Sequence, residues 1–284
     1  MKTIKLLALS AIVAGCIISC QKEEVTTEVN EVDTTPTKEQ LLKLSEMGVN
    51  TKSVSIKTIE NLDGSVEDYF VNGTDLVIPV TDLLSQQSLE SGSNRAKQYH
   101  TQALISRNNR TIDVLGYTGG RNALSNTGRQ ALQRAVANFN NLNTTLNMRL
   151  TFGTNHRAAD LVVYVREDLG SGGLAGFPSG GRAYKWAQIG PDVARRGVIY
   201  TTHVITHEMG HCIGLRHTDW FARSCDGNNE GEYDENNNYI GAIHVPGTPR
   251  NIDRTSIMIS CSTGYENGVF NSNDKTAIRY LYSR

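Results

Sequence analysis

The sequence predicts an α/β domain over residues 96–284, and three observations predict it. Strand-like segments recur between residues 112 and 200, a helical stripe separates the first two, and a helix carrying paired histidines follows the last. A chain of 284 residues with 38% apolar content permits one large or two modest domains with a real core. The net charge of −1 leaves no electrostatic footprint for nucleic acid.

The N-terminus reads as an address. Lys2 and Lys5 precede an apolar run from Leu6 to Ile18, too short to span a bilayer and suited to an export signal. Cys16 follows Val-Ala-Gly and Cys20 follows Ile-Ile-Ser, and both settings resemble the bacterial lipoprotein cleavage box, whose cysteine is acylated. Cys20 is the favoured lipid site and Cys16 the alternative. After Cys20, Gln21-Lys22-Glu23-Glu24 begins a polar tether that resembles surface-export signals of some Gram-negative lipoproteins. Residues 1–20 are therefore expected to be a signal peptide. The mature protein is expected to be exported, held by lipid at the bacterial outer membrane or cell surface, or released after processing. An ordinary secretory signal with incidental cysteines is the competing reading.

Residues 21–35 are polar and acidic, as a linker is. Thr35-Pro36 offers a cap and a first helical residue, Leu41, Leu42, Leu44 and Met47 an apolar stripe, and Gly48 a stop. Val54 and Ile56 alternate with polar residues as in a strand. Tyr69-Phe70-Val71 and Leu76-Val77-Ile78 flank Asn72-Gly73-Thr74-Asp75 as in a hairpin. We read residues 36–95 as a small prosegment, with the polar stretch Gln86 to Lys97 as the place where it is cut away.

Within the domain, Ile112–Val114 begins a strand, and Leu132, Ala135, Val136, Phe139 and Leu142 fall at helical spacing. Leu146, Met148, Leu150 and Phe152 alternate as a second strand. Leu161–Val165 is continuously apolar, suited to a strand covered on both faces. The Gly-rich stretch Gly170 to Gly181 leads into Tyr184–Ile189, read as an edge strand, and Gly197–Tyr200 is read as a further strand. Ala277, Ile278, Leu281 and Tyr282 share one face of a C-terminal helix over Asp274 to Tyr282.

The chemistry concentrates in H-E-x-x-H-x-x-G-x-x-H, filled by His207, Glu208, His211, Gly214 and His217. Residues four apart on a helix lie one turn apart on one face, so His207 and His211 can offer two nitrogens to one ion. Gly214 accepts the left-handed conformation that ends a helix, and the returning chain makes His217 a third ligand. Three neutral imidazoles leave the fourth position of a tetrahedral zinc site open, which is the catalytic arrangement. Glu208 is placed to serve as general base and acid towards a water held there. With 7 His and 26 Gly in the chain, a chance match at all five positions is on the order of one in ten thousand or rarer.

This pattern resembles the metzincin clan of zinc endopeptidases. The longer string His207-Glu208-Met209-Gly210-His211, followed by Arg216-His217-Thr218-Asp219-Trp220, resembles more narrowly the bacterial dual-action HEIGH metallo-peptidase family. The resemblance covers roughly residues 96–284. It implies a twisted mixed sheet of about five strands, an active-site helix, a methionine turn at Ser256-Ile257-Met258 and a C-terminal helix, preceded by a small prosegment. It also implies one catalytic Zn2+ and a protein or peptide substrate, which would lie against an exposed edge strand by main-chain pairing. Met258 would pack beneath the ligands rather than bind. The tyrosine that some metzincins place two residues past the methionine is here Ser260, with Tyr265 the nearest substitute. Phe70 to Asp75 loosely resembles the astacin-type motif whose aspartate blocks the zinc of the zymogen, and turn chemistry is the alternative for Asp75. Residues 21–95 contain no cysteine, so a thiolate block from there is excluded.

The remaining groups carry weaker expectations. Once Cys16 and Cys20 are processed, Cys212, Cys225 and Cys261 remain, and a Cys225–Cys261 disulfide is favoured among three pairings with Cys212 as a small buried residue. His203 is expected in the core or behind a ligand, and His100, His156 and His244 on the surface. Asp219 is expected to orient a histidine, to cap or to form a surface pair. The acidic loop from Asp226 begins like a calcium loop, yet its twelfth position is Asn237, so solvation is favoured over calcium. The expected protein is a monomeric, latent zinc endopeptidase on a membrane anchor. Its rival is a surface-binding lipoprotein that keeps the zinc fold without cleaving.

Overall fold

In the computed structural model of the chain, residues 35–47, 49, 51, 54–72, 75–83, 99–101, 103–219, 243–249, 251–261, 263–264 and 266–283 are described, all within the unit Thr34–Arg284. The first element is helix α1, Lys38–Glu46. Thr37 caps it, not Thr35. Its hydroxyl accepts Gln40 N–H while Gln40 Oε1 accepts Thr37 N–H, a reciprocal pair that fixes the start after Pro36. Leu44 is buried, but Leu42, expected in the same stripe, is exposed.

Strands β1 (Val54–Glu60), β2 (Val66–Asn72) and β3 (Leu76–Pro79) form an antiparallel sheet in that order. The expected hairpin closes with Asn72 opposite Leu76. Neighbouring residues on a strand face opposite ways, and here each face has its own partner. Phe70 and Ile78 join Leu44, Val49 and Leu83 in a small core under α1. Ile59, Tyr69 and Val77 point the other way, into the main core of the chain. The N-terminal segment is thus packed into the rest of the molecule through one sheet face.

A short strand β4 (Tyr99–His100) precedes β5 (Thr111–Tyr117), helix α2 (Asn126–Asn140), β6 (Asn147–Gly153), β7 (Leu161–Val165), β8 (Gly173–Leu174) and β9 (Trp186–Ile189). Five of these form one mixed sheet in the order β6-β5-β7-β9-β8, parallel except for β8 against β9. The continuously apolar β7 sits at the centre, with Leu161 to Tyr164 buried, as its composition requires. Ser125 caps α2 through Gly128 N–H, and Ala131, Leu132, Ala135, Val136 and Phe139 give it a buried stripe.

Two expectations fail here. The segment Tyr184–Ile189 is not an edge: β9 lies between β7 and β8 and all four of its residues are buried. The edge is β8, drawn from the Gly-rich stretch, where apolar alternation gives no strand signal. Nor is Gly197–Tyr200 a strand, because helix α3 runs Val198–Cys212. Gly197, at φ 89°, turns the chain, and the hydroxyls of Thr201, Thr202 and Thr206 each donate to the carbonyl four residues back. Those bonds satisfy the hydroxyls in a helix buried from Thr201 to Cys212, and that packing overrides the β-branched propensity of Val198 and Ile199.

Strand β10 (Ile243–His244) pairs with β4, and helix α4 spans Ser272–Leu281 with Ala277, Ile278 and Leu281 buried as expected. No helix among the described residues is long and apolar enough to cross a membrane. Residues 1–34, with Cys16 and Cys20, lie outside the described residues. So do the polar stretch at 84–98, the acidic loop with Cys225 and Asn237, and Tyr265.

Candidate metal centre

Helix α3 supplies His207 and His211 from one face, their ring centroids 4.7 Å apart. Gly214, at φ 102°, ends the helix as expected, with Gly214 N–H on His211 O and Leu215 N–H on Gly210 O. The chain reverses and brings in His217. The three Nε2 atoms converge: His207 to His211 is 3.0 Å, and His217 is 3.1 Å from each.

The Nδ1 atoms decide what those Nε2 atoms carry. His207 Nδ1 lies 2.7 Å from Ile257 O and His211 Nδ1 2.8 Å from Leu215 O. A carbonyl only accepts, so both Nδ1 atoms hold the proton and both Nε2 atoms present a lone pair. Lone pairs facing one another at this spacing repel unless a cation lies between them. Nitrogen ligands 2.0–2.1 Å from a tetrahedral zinc stand about 3.3 Å from each other, so the donor set fits zinc. Burial, and then the neighbouring His207 and His217, hold His211 well below the ordinary histidine range, in the neutral form a ligand needs.

Asp75 is the fourth member of this group, whose donor atoms all lie within 4.8 Å of one another. Its Oδ2 is 2.9 Å from His217 Nε2 and 3.3 Å from His207 Nε2. Burial pushes this carboxyl up, but the charge of His217 and the close approach of both imidazoles hold it well below the usual carboxylate range. The backbone is fastened too. Asp75 O accepts Ala175 N–H and Val77 N–H donates to Ala175 O, both at 2.9 Å, a parallel bridge just beyond β8. The N-terminal segment therefore lies along the sheet edge next to the histidines.

Glu208 is 2% exposed, and its Oε2 has no hydrogen-bond partner among the described residues. Burial first, then the charge of Asp75, raises its carboxyl well above the ordinary range. It presses on Gly173 of β8, where a Cβ would fall 2.1 Å from Glu208 Oε1. Beside it opens a cavity of about 250 Å³, bordered by Tyr200, His203, Ile259 and Glu266.

Met258 is buried under α3, and its carbonyl accepts Thr218 N–H. A Cβ on Gly210 would come within 2.5 Å of Met258 Sδ, so glycine sets how closely the turn approaches the helix. Gly210→Ala is expected to lower the melting temperature by a few degrees, because overpacking costs about 1–3 kcal/mol against about 1 kcal/mol gained in helix propensity. Calorimetry showing an unchanged or higher Tm would mean the methionine yields without cost.

The other expectations divide. His203 is 9% exposed, with a pKa pushed down to about 4 by burial and by His207, and it stands outside the histidine cluster, as expected. Cys212 is free and buried, and Cys261 is disulfide-bonded, while Cys225 is not among the described residues. Asp219 accepts the N–H and the hydroxyl of Ser260 at 3.0 and 2.6 Å. None of His100, His156 and His244 is exposed: His100 is buried in the β4–β10 pair and the other two are half-buried. Lone histidines in short pairings leave no periodicity to read. Sequence reasoning also missed Gly173, Phe177, whose ring meets His211 edge-on at 5.9 Å, and the bond between Ser256 and Asp274. Of these, only Asp274 had a signal, as third residue after the cap Asn271.

The family model described as dual-action HEIGH metallo-peptidase matches residues 71–282. None of the curated proteins matches the chain. Two solved structures of myroilysin are similar. One is 16% identical with a TM-score of 0.40, covering 61% of this chain and 93% of that one. The other is 15% identical with a TM-score of 0.40, covering 68% and 93%.

Proposed function

Because the chain belongs to the dual-action HEIGH metallo-peptidase family, we propose that it is an exported zinc endopeptidase of metzincin type, made as a latent precursor. The observation that carries this reading is the convergence of three Nε2 atoms beside a buried carboxyl whose Oε2 has no partner among the described residues. His207, His211 and His217 would hold the ion, and the turn at Met258 would be the methionine turn beneath it. Zinc in such a set supplies Lewis acidity towards a scissile carbonyl and lowers the pKa of a water it holds. Glu208 Oε2 takes the proton of the attacking water and returns it to the departing amine. The edge at β8 receives the substrate backbone.

Latency follows from Asp75. In this reading residues 36–95 are a prosegment whose carboxylate occupies the position a substrate carbonyl needs, while its backbone occupies the β8 edge. Export and lipid attachment at Cys20, or Cys16, rest on the N-terminal sequence alone.

Metal analysis tests the core of the proposal. The purified full-length chain is expected to hold about one zinc, and a chelator to strip it and abolish cleavage of a denatured protein, with Zn2+ restoring both. A chain that takes up no zinc, or cleaves equally well after chelation, removes the reading.

A further inference from the structure

A buried carboxylate on the far side of the metal helix reaches His207 through a continuous line of hydrogen bonds. Asp274, the third residue of α4, and Ser256 are both essentially inaccessible. Ser256 Oγ–H donates to Asp274 Oδ1. Ser256 Oγ in turn accepts Met258 N–H at 3.0 Å. That amide and the Ile257 carbonyl belong to one peptide group, and Ile257 O accepts His207 Nδ1–H at 2.7 Å. Asp274 Oδ2 meanwhile accepts Ile257 N–H and Asn271 N–H, both at 3.0 Å, which locks the carboxylate in place.

We propose that Asp274 is a positioning residue for the metal centre, acting through Ser256 and the Ile257–Met258 peptide to orient His207 and strengthen it as a ligand. A carboxylate bonded directly to a ligating imidazole fixes its tautomer and raises its basicity. Here the carboxylate stands three links away, and polarisation passes along the line. An anionic acceptor makes the Ser256 oxygen a better acceptor, which polarises the peptide and makes Ile257 O a better acceptor for the imidazole proton. His211 lacks this support: its Nδ1 meets the Leu215 carbonyl. The two helix ligands are therefore unequal, and His207 is the one whose donor strength answers to a charge.

The inference rests on the zinc reading above. The test is zinc affinity of the full-length chain, by competition with a chromophoric chelator, together with the visible spectrum of the Co2+-loaded protein. Asp274→Asn keeps the shape and removes the charge; Ser256→Ala removes the middle link. Each is expected to weaken zinc binding about 10-fold and to shift the Co2+ bands, and the double variant to weaken it no more than either alone. Ser125→Ala, which removes the side-chain cap of α2, is the control: it should lower Tm and leave both metal readouts unchanged. If wild type binds zinc and both relay variants bind it equally well, with or without a lower Tm, the relay is wrong and the zinc reading stands. If wild type binds no zinc, both fall.

Discussion

Glu208→Ala is expected to lower the rate of peptide hydrolysis by about 10²- to 10⁴-fold, the range for removing a positioned general base and acid. Zinc content should not change, because the nitrogens that converge belong to His207, His211 and His217. Stability should not fall either. A buried carboxyl with one oxygen unpartnered burdens the fold, and truncating it relieves a desolvation cost of about 1–3 kcal/mol. The expected variant is therefore inactive, metal-loaded and at least as heat-stable as wild type. A digest of a denatured protein, run beside calorimetry and metal analysis, checks all three. Equal rates for variant and wild type, both first cut within residues 84–98 to remove the proposed block, would rule out the protease and leave a surface-binding protein that merely keeps the zinc fold.

The elements that bury one face were legible because their periodicity is enforced by packing. The stripe of α2, the apolar run of β7 and the face of α4 all lie where their spacing puts them. The convergence of the three histidines was legible for the same reason, since a helix and one left-handed glycine fix where three rings meet. What could not be read was set by backbone pairing and tertiary context. The two-residue strand β8 has too few side chains to form a pattern, so the edge was assigned one strand too late. Val198 to Tyr200 carry strand propensity, but a turn at Gly197 and the buried helix that follows from Thr201 make them its first turn. Asp274 was visible as a capping residue, yet nothing in the order of residues says that Ser256 lies across from it.

Asp75→Ala is expected to raise the activity of the full-length chain roughly 10- to 100-fold. A close contact made by a buried charged group contributes about 1.5–3 kcal/mol, and each 1.4 kcal/mol shifts an equilibrium tenfold. Asp75 Oδ2 makes two close contacts with the histidines, and the variant removes both from the closed state alone. The gain should stop short of full activation. The bridge to Ala175 uses only backbone atoms and survives the substitution, as do Tyr69 and Val77 in the main core. Two layers of restraint thus separate: a carboxylate directed at the ligands, which one substitution deletes, and a strand at the sheet edge, which only removal of the segment clears. Initial rates on a short quenched-fluorescent peptide resolve them, with Asp75→Ala falling between the intact chain and the chain cut within residues 84–98. Asp75→Asn should behave as Asp75→Ala, since an amide of the same shape lacks the charge. Unchanged latency in both variants would make Asp75 a turn residue that happens to lie near the histidines, and would leave the strand as the block.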